Sequence, residues 1–457
     1  MVSRSPQHPD DIVISRPAAN PAEVVAAVES ARAAQREWAA QPAPVRANAL
    51  SSAATAYASA RDELVALGVR EVGKPVTEME GEVARGLAIL RYYAQEALGP
   101  DGSTFPSPDG RSLLLARTRP RGVAGLVTPW NFPVAIPLWK AAPALAYGNG
   151  VVLKAAPQAL AVATRLAEIL APCLPPGLFS VLAGDAETGR ALVGVADAVS
   201  FTGSVAVGHQ VVAQAAGRGT AVQAEMGGQN ASIVLPDADL AAAAKTVAYA
   251  AMGYAGQKCT ATSRVIVVGD VAAFTDALVA AVEALGFGDP AERPVLVGPV
   301  IEEGARRAVV DAVAAALAGG GRVVLGGEAA EGDGFYVRPA LVDGLGPDAA
   351  LAQEEVFGPV AVVLPAQDAA EAVAIANGVR YGLASAIFTA DLDSALFLAG
   401  HLATGLVKVN SSTAGVDFYA PFGGDKESSF GPREQGRAAR DFYTTSQTVT
   451  ISPARSH

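Results

Sequence analysis

The sequence predicts an α/β protein with two parallel-sheet units and a small extended arm. Three observations carry this. From residue 123 short apolar runs alternate with helical ones, the pattern of βαβ crossovers. The alternation restarts after Gly227-Gly228 and runs to about residue 410. Two further extended stretches, 112–118 and 443–451, fall outside both patterns. The expected division is 1–102 with 122–227 as one unit, 228–436 as a second, and 103–121 with 437–457 as the arm.

Taken in order, Asn20-Pro21-Ala22-Glu23 reads as a capping box with Pro at the first helical position. It opens a helix to about residue 40. Helical runs over 44–72 and 77–97 follow, with Trp38, Tyr92 and Tyr93 as packing residues and no recognisable chemistry. The first unit then reads as strand 122–127, helix 134–147, strand 150–154, helix 159–171, strand 178–182, a short helix, strand 199–201 and a helix from Ser204. In the second unit strands are predicted at 232–235, 265–268, 323–325, 360–364 and 406–409. Helices are predicted at 238–254, 271–285, 303–318 and 367–377. The two stretches outside these patterns suit an arm pairing with another subunit, or two edge strands of one subunit.

Composition excludes several classes. With 51% hydrophobic and 17% charged residues the 457-residue chain is neither disordered nor fibrous. A net charge of −11 argues against nucleic acid and anionic membrane as partners. Two cysteines, Cys173 and Cys259, make no disulfide framework and point to a reducing, cytoplasmic setting. No run is long and apolar enough for a membrane span, and no metal site is expected.

Chemistry concentrates at strand ends. Cys259 lies in Gly256-Gln257-Lys258-Cys259-Thr260, beside a cation and in a turn, a setting for a reactive thiolate. A lone cysteine is otherwise most often a small buried hydrophobe. Thr128-Pro129-Trp130-Asn131-Phe132-Pro133 follows the first strand, and its stiff loop suits an amide donor. Lys154 ends the next strand and can reach phosphate or ribose. Phe201-Thr202-Gly203-Ser204, with Gly208, opens a helix as a phosphate loop would, or as an ordinary tight turn. Glu225 precedes a Gly pair; buried, its carboxyl would be raised toward base chemistry.

In combination and order, these motifs resemble the NAD(P)-dependent aldehyde dehydrogenase superfamily. The matching strings are TPWNFP (128–133), Lys154, FTGS (201–204), EMGG (225–228), GQKC (256–259), EEVFGPV (354–360) and PFGG-x-K (421–426). The resemblance implies that fold: a Rossmann-like cofactor domain, an α/β catalytic domain and a β oligomerisation arm. It implies Cys259 as nucleophile, Asn131 as oxyanion donor, Glu225 as the base that hydrolyses the thioester, and Glu434 as a second glutamate linked to proton removal. For the cofactor it implies Thr128, Pro129, Trp130, Lys154, Gly203, Ser204, Gly208, Glu355 and Phe357. For the substrate pocket it implies Phe132, Trp139, Tyr254, Lys258 and Thr260, with Phe418 nearby.

Two positions depart from the pattern. NAD-preferring members carry a glutamate three residues after the lysine; here it is Pro157, which removes an obstacle to a 2′-phosphate. NADP as well as NAD is therefore expected as cofactor, with NADP preference the stronger form of that expectation. Ser428-Ser429 replaces a common Ser-Gly, predicting a more constrained backbone there. The string around Cys259 resembles members acting on semialdehydes such as 2-oxoglutarate semialdehyde, while the aromatic residues also suit benzaldehyde-like substrates. Lys258 or Arg264 would suit a carboxylated aldehyde, or serve structure. The rivals are a catalytically silent protein on the same fold and an acyl transfer to coenzyme A, against which Cys259, Asn131 and Glu225 stand. A homodimer or homotetramer is expected.

Overall fold

The computed structural model describes residues 1–454, so the last three residues of the expected arm, 455–457, lie outside the described residues. The N-terminal helices open as the sequence predicts. Asn20 caps Pro21–Ala40, its side chain accepting from Ala22 N and Glu23 N while Glu23 returns the bond to Asn20 N. The single predicted run over 44–72 is two helices, Ala43–Ser59 and Arg61–Val72, broken at Ala60 without Gly or Pro. The break lets Tyr57 and Leu64 enter the same core as Val83, Leu90 and Tyr93 of the helix Val76–Glu96. Periodicity alone does not report such a bend, because apolar spacing continues through it.

The first sheet runs Ser429–Phe430, Ala221–Glu225, Ala198–Thr202, Val123–Val127, Gly150–Lys154, Phe179–Leu182. All but the first of these strands are parallel. Chain order reverses between Val123–Val127 and Ala198–Thr202. Open parallel sheets bind ligands at such a reversal, outside the carboxyl ends of the strands. Thr128, Lys154, Gly203 and Glu225 all stand at those ends. Ser429–Phe430 belongs to this sheet although the sequence places it in the second unit.

The second sheet has seven strands, ordered Arg322–Leu325, Ala340–Asp343, Val360–Ala366, Thr262–Val268, Asn230–Val234, Ala384–Phe388 and Leu406–Val409. Two of them escape the sequence reading. Ala384–Phe388 is wholly buried, but its Ala-Ser-Ala start carries little β signal. Ala340–Asp343 has only four residues. Separate apolar cores underlie this sheet and the helices packed on the first.

The two extended stretches pair with each other. Thr444–Ile451 runs antiparallel to Leu113–Pro120, and Gly102–Phe105 adds a third strand on the other side. No helix among the described residues is long and apolar enough to cross a membrane.

Candidate active site

Cys259 follows a backbone turn that costs conformational energy. Tyr254, Ala255 and Gly256 all adopt left-handed φ, at 57°, 51° and 66°. For residues with a side chain this conformation costs on the order of 1 kcal/mol each. Gly256 is required because a Cβ there would collide with the Gly358 carbonyl. The loop is then fixed from outside: Asn230 donates to the Cys259 carbonyl at 2.8 Å, and Gln257 accepts from Ile301 N at 2.8 Å. The thiol opens on a cavity of about 380 Å³.

The expectation of a thiolate stabilised by its neighbour Lys258 does not hold. Lys258 turns to Glu78, with Nζ 2.7 Å from Oε1, and covers the Tyr249 ring. Burial pushes the Cys259 thiol up to about 12, and the nearby Glu355 and Glu225 carboxylates add to this. Sequence adjacency put a cation beside the thiol; the fold commits that cation elsewhere.

Asn131 is joined to the same loop. Its Nδ2 donates to the Gln257 carbonyl at 2.9 Å, two residues before the cysteine, and an amide nitrogen has a second proton to give. The Asn131 backbone is held in turn by two residues the sequence reading passes over. Lys74, fully buried, donates to the Asn131 carbonyl at 2.8 Å and forms an ion pair with Glu82. Glu82 accepts from Val134 N and Ala135 N at 2.8 and 2.9 Å, capping the helix Ala135–Ala146. Lys74 also lies 3.6 Å from the centroid of Phe132.

Glu225 is buried at the end of its strand. Burial raises its carboxyl well above the usual carboxylate range, and the Glu434 charge adds to the shift. Ser429 Oγ donates to Glu225 Oε2. Ser429 itself lies in ordinary extended backbone, so the constraint expected from a serine at this position is absent. Glu434 is committed to an ion pair with Lys140, and accepts from Trp139 Nε1 at 2.7 Å and Ser200 Oγ at 3.1 Å. Lys140 is another residue the sequence reading leaves out.

At the carboxyl ends of the first sheet, the residues fit a dinucleotide. Thr128 Oγ1 and Thr202 Oγ1 flank the reversal of strand order, buried and without a partner. Ser204 begins the helix Val205–Ala216 with no side-chain cap, leaving first-turn N–H groups available to an anion. Gly203 and Gly208 let this turn close on Phe201 and Met226, where a Cβ would collide. Lys154 is buried, and burial lowers its pKa against the opposing effect of Asp185. Pro157 begins a short turn of helix and brings no carboxylate. Beyond Pro129, Trp130 meets Phe357 edge to face, with centroids 5.8 Å apart. Glu355 accepts from Gly228 N at 3.0 Å, and burial pushes its carboxyl up to about 7.

The cavity brings together Phe132, Trp139, Lys258, Cys259 and Thr260. Tyr254 is not in its wall: the ring is fully buried behind Trp130 and its hydroxyl donates to the Val72 carbonyl at 3.2 Å. Phe418 packs instead on Tyr92 and Tyr419. Arg264 is spent on the carbonyls of Gln229, Ile375 and Ala376. The cation the sequence reading missed is Arg85, which lines the cavity and, among the described residues, has no ion-pair or hydrogen-bond partner. Glu78, Glu82 and Arg85 follow at spacings of four and three, so they share one helix face; that stripe was the available signal.

The aldehyde dehydrogenase family profile matches residues 1–449. The chain belongs to the aldehyde dehydrogenase family. It is an oxidoreductase that converts aldehydes to carboxylic acids. It is 40% identical to an alpha-ketoglutarate semialdehyde dehydrogenase of Haloferax volcanii, over 97% of this chain and 94% of the relative. It is 39% identical to an alpha-ketoglutaric semialdehyde dehydrogenase of Bacillus subtilis, over 94% of this chain and 90% of the relative. Among solved structures, the betaine aldehyde dehydrogenase of Staphylococcus aureus in complex with NAD+ superposes with a TM-score of 0.96 at 28% identity, over 100% of this chain and 92% of that one. The aldehyde dehydrogenase fold is thus established for the whole described chain.

Proposed function

We propose that this aldehyde dehydrogenase oxidises a semialdehyde bearing a carboxylate, of the 2-oxoglutarate semialdehyde kind. The observation that carries this is Arg85. Within the cavity wall Glu78 is cancelled by Lys258 and Glu82 by Lys74, so Arg85 is left as an uncompensated positive charge among apolar walls. A guanidinium in such a place binds a carboxylate far better than a neutral aromatic ring. The similarity to two semialdehyde dehydrogenases supports the same reading.

In this reading the Cys259 thiol loses its proton to solvent, and the thiolate attacks the aldehyde carbon to form a thiohemiacetal alkoxide. The free N–H of Asn131 stabilises that oxygen, a contribution of about 3 kcal/mol for a donor of this kind. The alkoxide collapses with loss of hydride from the same carbon, leaving a thioester on Cys259. A nicotinamide dinucleotide, when bound, supplies the hydride acceptor. Glu225 takes a proton from water, which attacks the thioester; the carbon–sulfur bond breaks and the acid leaves. Glu434, held by Lys140 and Ser200, acts on Glu225 through its charge, which helps keep that carboxyl raised toward base chemistry. Thr128, Trp130, Lys154, Ser204, Glu355 and Phe357 would hold the cofactor. Because Pro157 offers no carboxylate against a 2′-phosphate, NADP is accepted. A hundredfold preference for NAD in kcat/KM contradicts that point.

We assign the three-stranded sheet of Gly102–Phe105, Leu113–Pro120 and Thr444–Ile451 to subunit pairing, since Phe105, Leu113 and Ile451 are about half exposed on it. Sedimentation of the full chain tests this against a monomer. The substrate reading is tested by steady-state kinetics on an aldehyde panel. A kcat/KM for 2-oxoglutarate semialdehyde well above that for benzaldehyde supports it, and the reverse order overturns it.

A further inference from the structure

Glu225 and Ser429 face each other across two antiparallel strands, with Ser429 in register with Glu225. Directly opposed residues hold their Cβ atoms about 5 Å apart, and here the side chains meet. Ser429 Oγ lies 2.5 Å from Glu225 Oε2. The same oxygen accepts the Gly424 N–H at 2.6 Å, so its own proton is directed to the carboxylate. The far side of the carboxylate is closed by backbone: a Cβ on Gly423 would come within 2.8 Å of Glu225 Oε1. The neighbouring Ser428 anchors the strand, donating to the Gly227 carbonyl at 2.8 Å and accepting from Gly382 N at 3.0 Å. Glu225 does not line the cavity onto which Cys259 opens.

We propose that Ser429 is a positioning residue for thioester hydrolysis: its oriented hydroxyl holds Glu225 withdrawn from Cys259, and the carboxylate gives up that bond to reach the acyl group. The inference rests on the reading of Glu225 as the base. Two consequences follow from elementary chemistry. A donated hydrogen bond favours the ionised carboxylate, so removing it moves the titration of Glu225 to higher pH. Removing it also frees the side chain, so above that titration hydrolysis is at least as fast as before.

The test uses the full-length enzyme acetylated with p-nitrophenyl acetate, which transfers its acetyl group to the thiolate with loss of nitrophenolate and needs no cofactor. Peptide mapping places the label on Cys259. Loss of acetyl is then followed by intact mass across a broad pH range, since burial raises this carboxyl above the usual carboxylate range. Ser429→Ala is expected to move the rising limb up by roughly one pH unit, the value of one charge-assisted hydrogen bond. Its plateau should equal or exceed that of the wild type, and Ser429→Thr should return the limb to the wild-type position. A limb that does not move in Ser429→Ala, a plateau reduced about tenfold, or a threonine variant that behaves like alanine overturns the proposal. Glu225→Gln separates the two levels: it should lose the limb altogether. If it keeps the wild-type limb, the reading of Glu225 as the base fails.

Discussion

The helix Val76–Glu96 presents charge to the cavity beside Cys259 in two contrasting ways. Toward its start, Glu78 and Glu82 are each closed by a buried lysine, Lys258 and Lys74. About one turn beyond Glu82, Arg85 has no such partner among the described residues. The closed pairs do architectural work. They hold the loop that carries Asn131 and keep the Lys258 charge away from Cys259. The open cation is the one we propose for the substrate carboxylate. Residue types alone do not separate these roles; partnership does.

The contrast is broken most severely at the closed end. Lys74→Met leaves Glu82 buried and uncompensated, which should cost about 3–5 kcal/mol of stability. Urea denaturation would show this as a lower midpoint, and Glu82→Leu in the same chain should recover part of the loss. Arg85→Ala should change stability by only about 0.5 kcal/mol, because no partner is orphaned. Equal losses at the two sites would erase the distinction.

Commitment of Lys258 has a second measurable effect, on the Cys259 thiol. A thiol held at about 12 is protonated at neutral pH, and its thiolate fraction rises tenfold per pH unit toward that value. Alkylation of Cys259 by iodoacetamide in the cofactor-free enzyme should therefore be slow at neutral pH and climb steadily into the alkaline range. A rate already level near pH 7 would mean that a cation does sit at the sulfur. A smaller effect is expected at the proposed cofactor site: if NADP binds there, Pro157→Glu should lower kcat/KM for NADP by roughly tenfold through repulsion of the 2′-phosphate.

The motifs around Cys259, Asn131 and Glu225 were legible in the sequence because these residues sit at strand ends and in turns, where Gly, Pro and short motifs mark the backbone. The alternation of apolar runs likewise exposed both parallel sheets. The strands Ala384–Phe388 and Ala340–Asp343 were hidden by small residues and short length. The roles of Lys74, Glu78, Glu82, Arg85 and Lys140 were not legible, since each depends on a partner or cavity assembled from distant segments, although the spacing of Glu78, Glu82 and Arg85 puts them on one helix face. Lys140 and Glu434, for instance, meet across 294 residues. Lys258 shows the opposite failure: adjacency to Cys259 suggested a partnership that the Glu78 carboxylate pre-empts.

The most direct test of the open cation is the ratio of kcat/KM for 2-oxoglutarate semialdehyde to that for benzaldehyde, measured on the wild type and on Arg85→Ala. Loss of a charge-assisted contact with the substrate carboxylate should lower that ratio by about 10- to 100-fold, with benzaldehyde turnover little changed. A ratio that stays the same when Arg85 is removed would contradict the account.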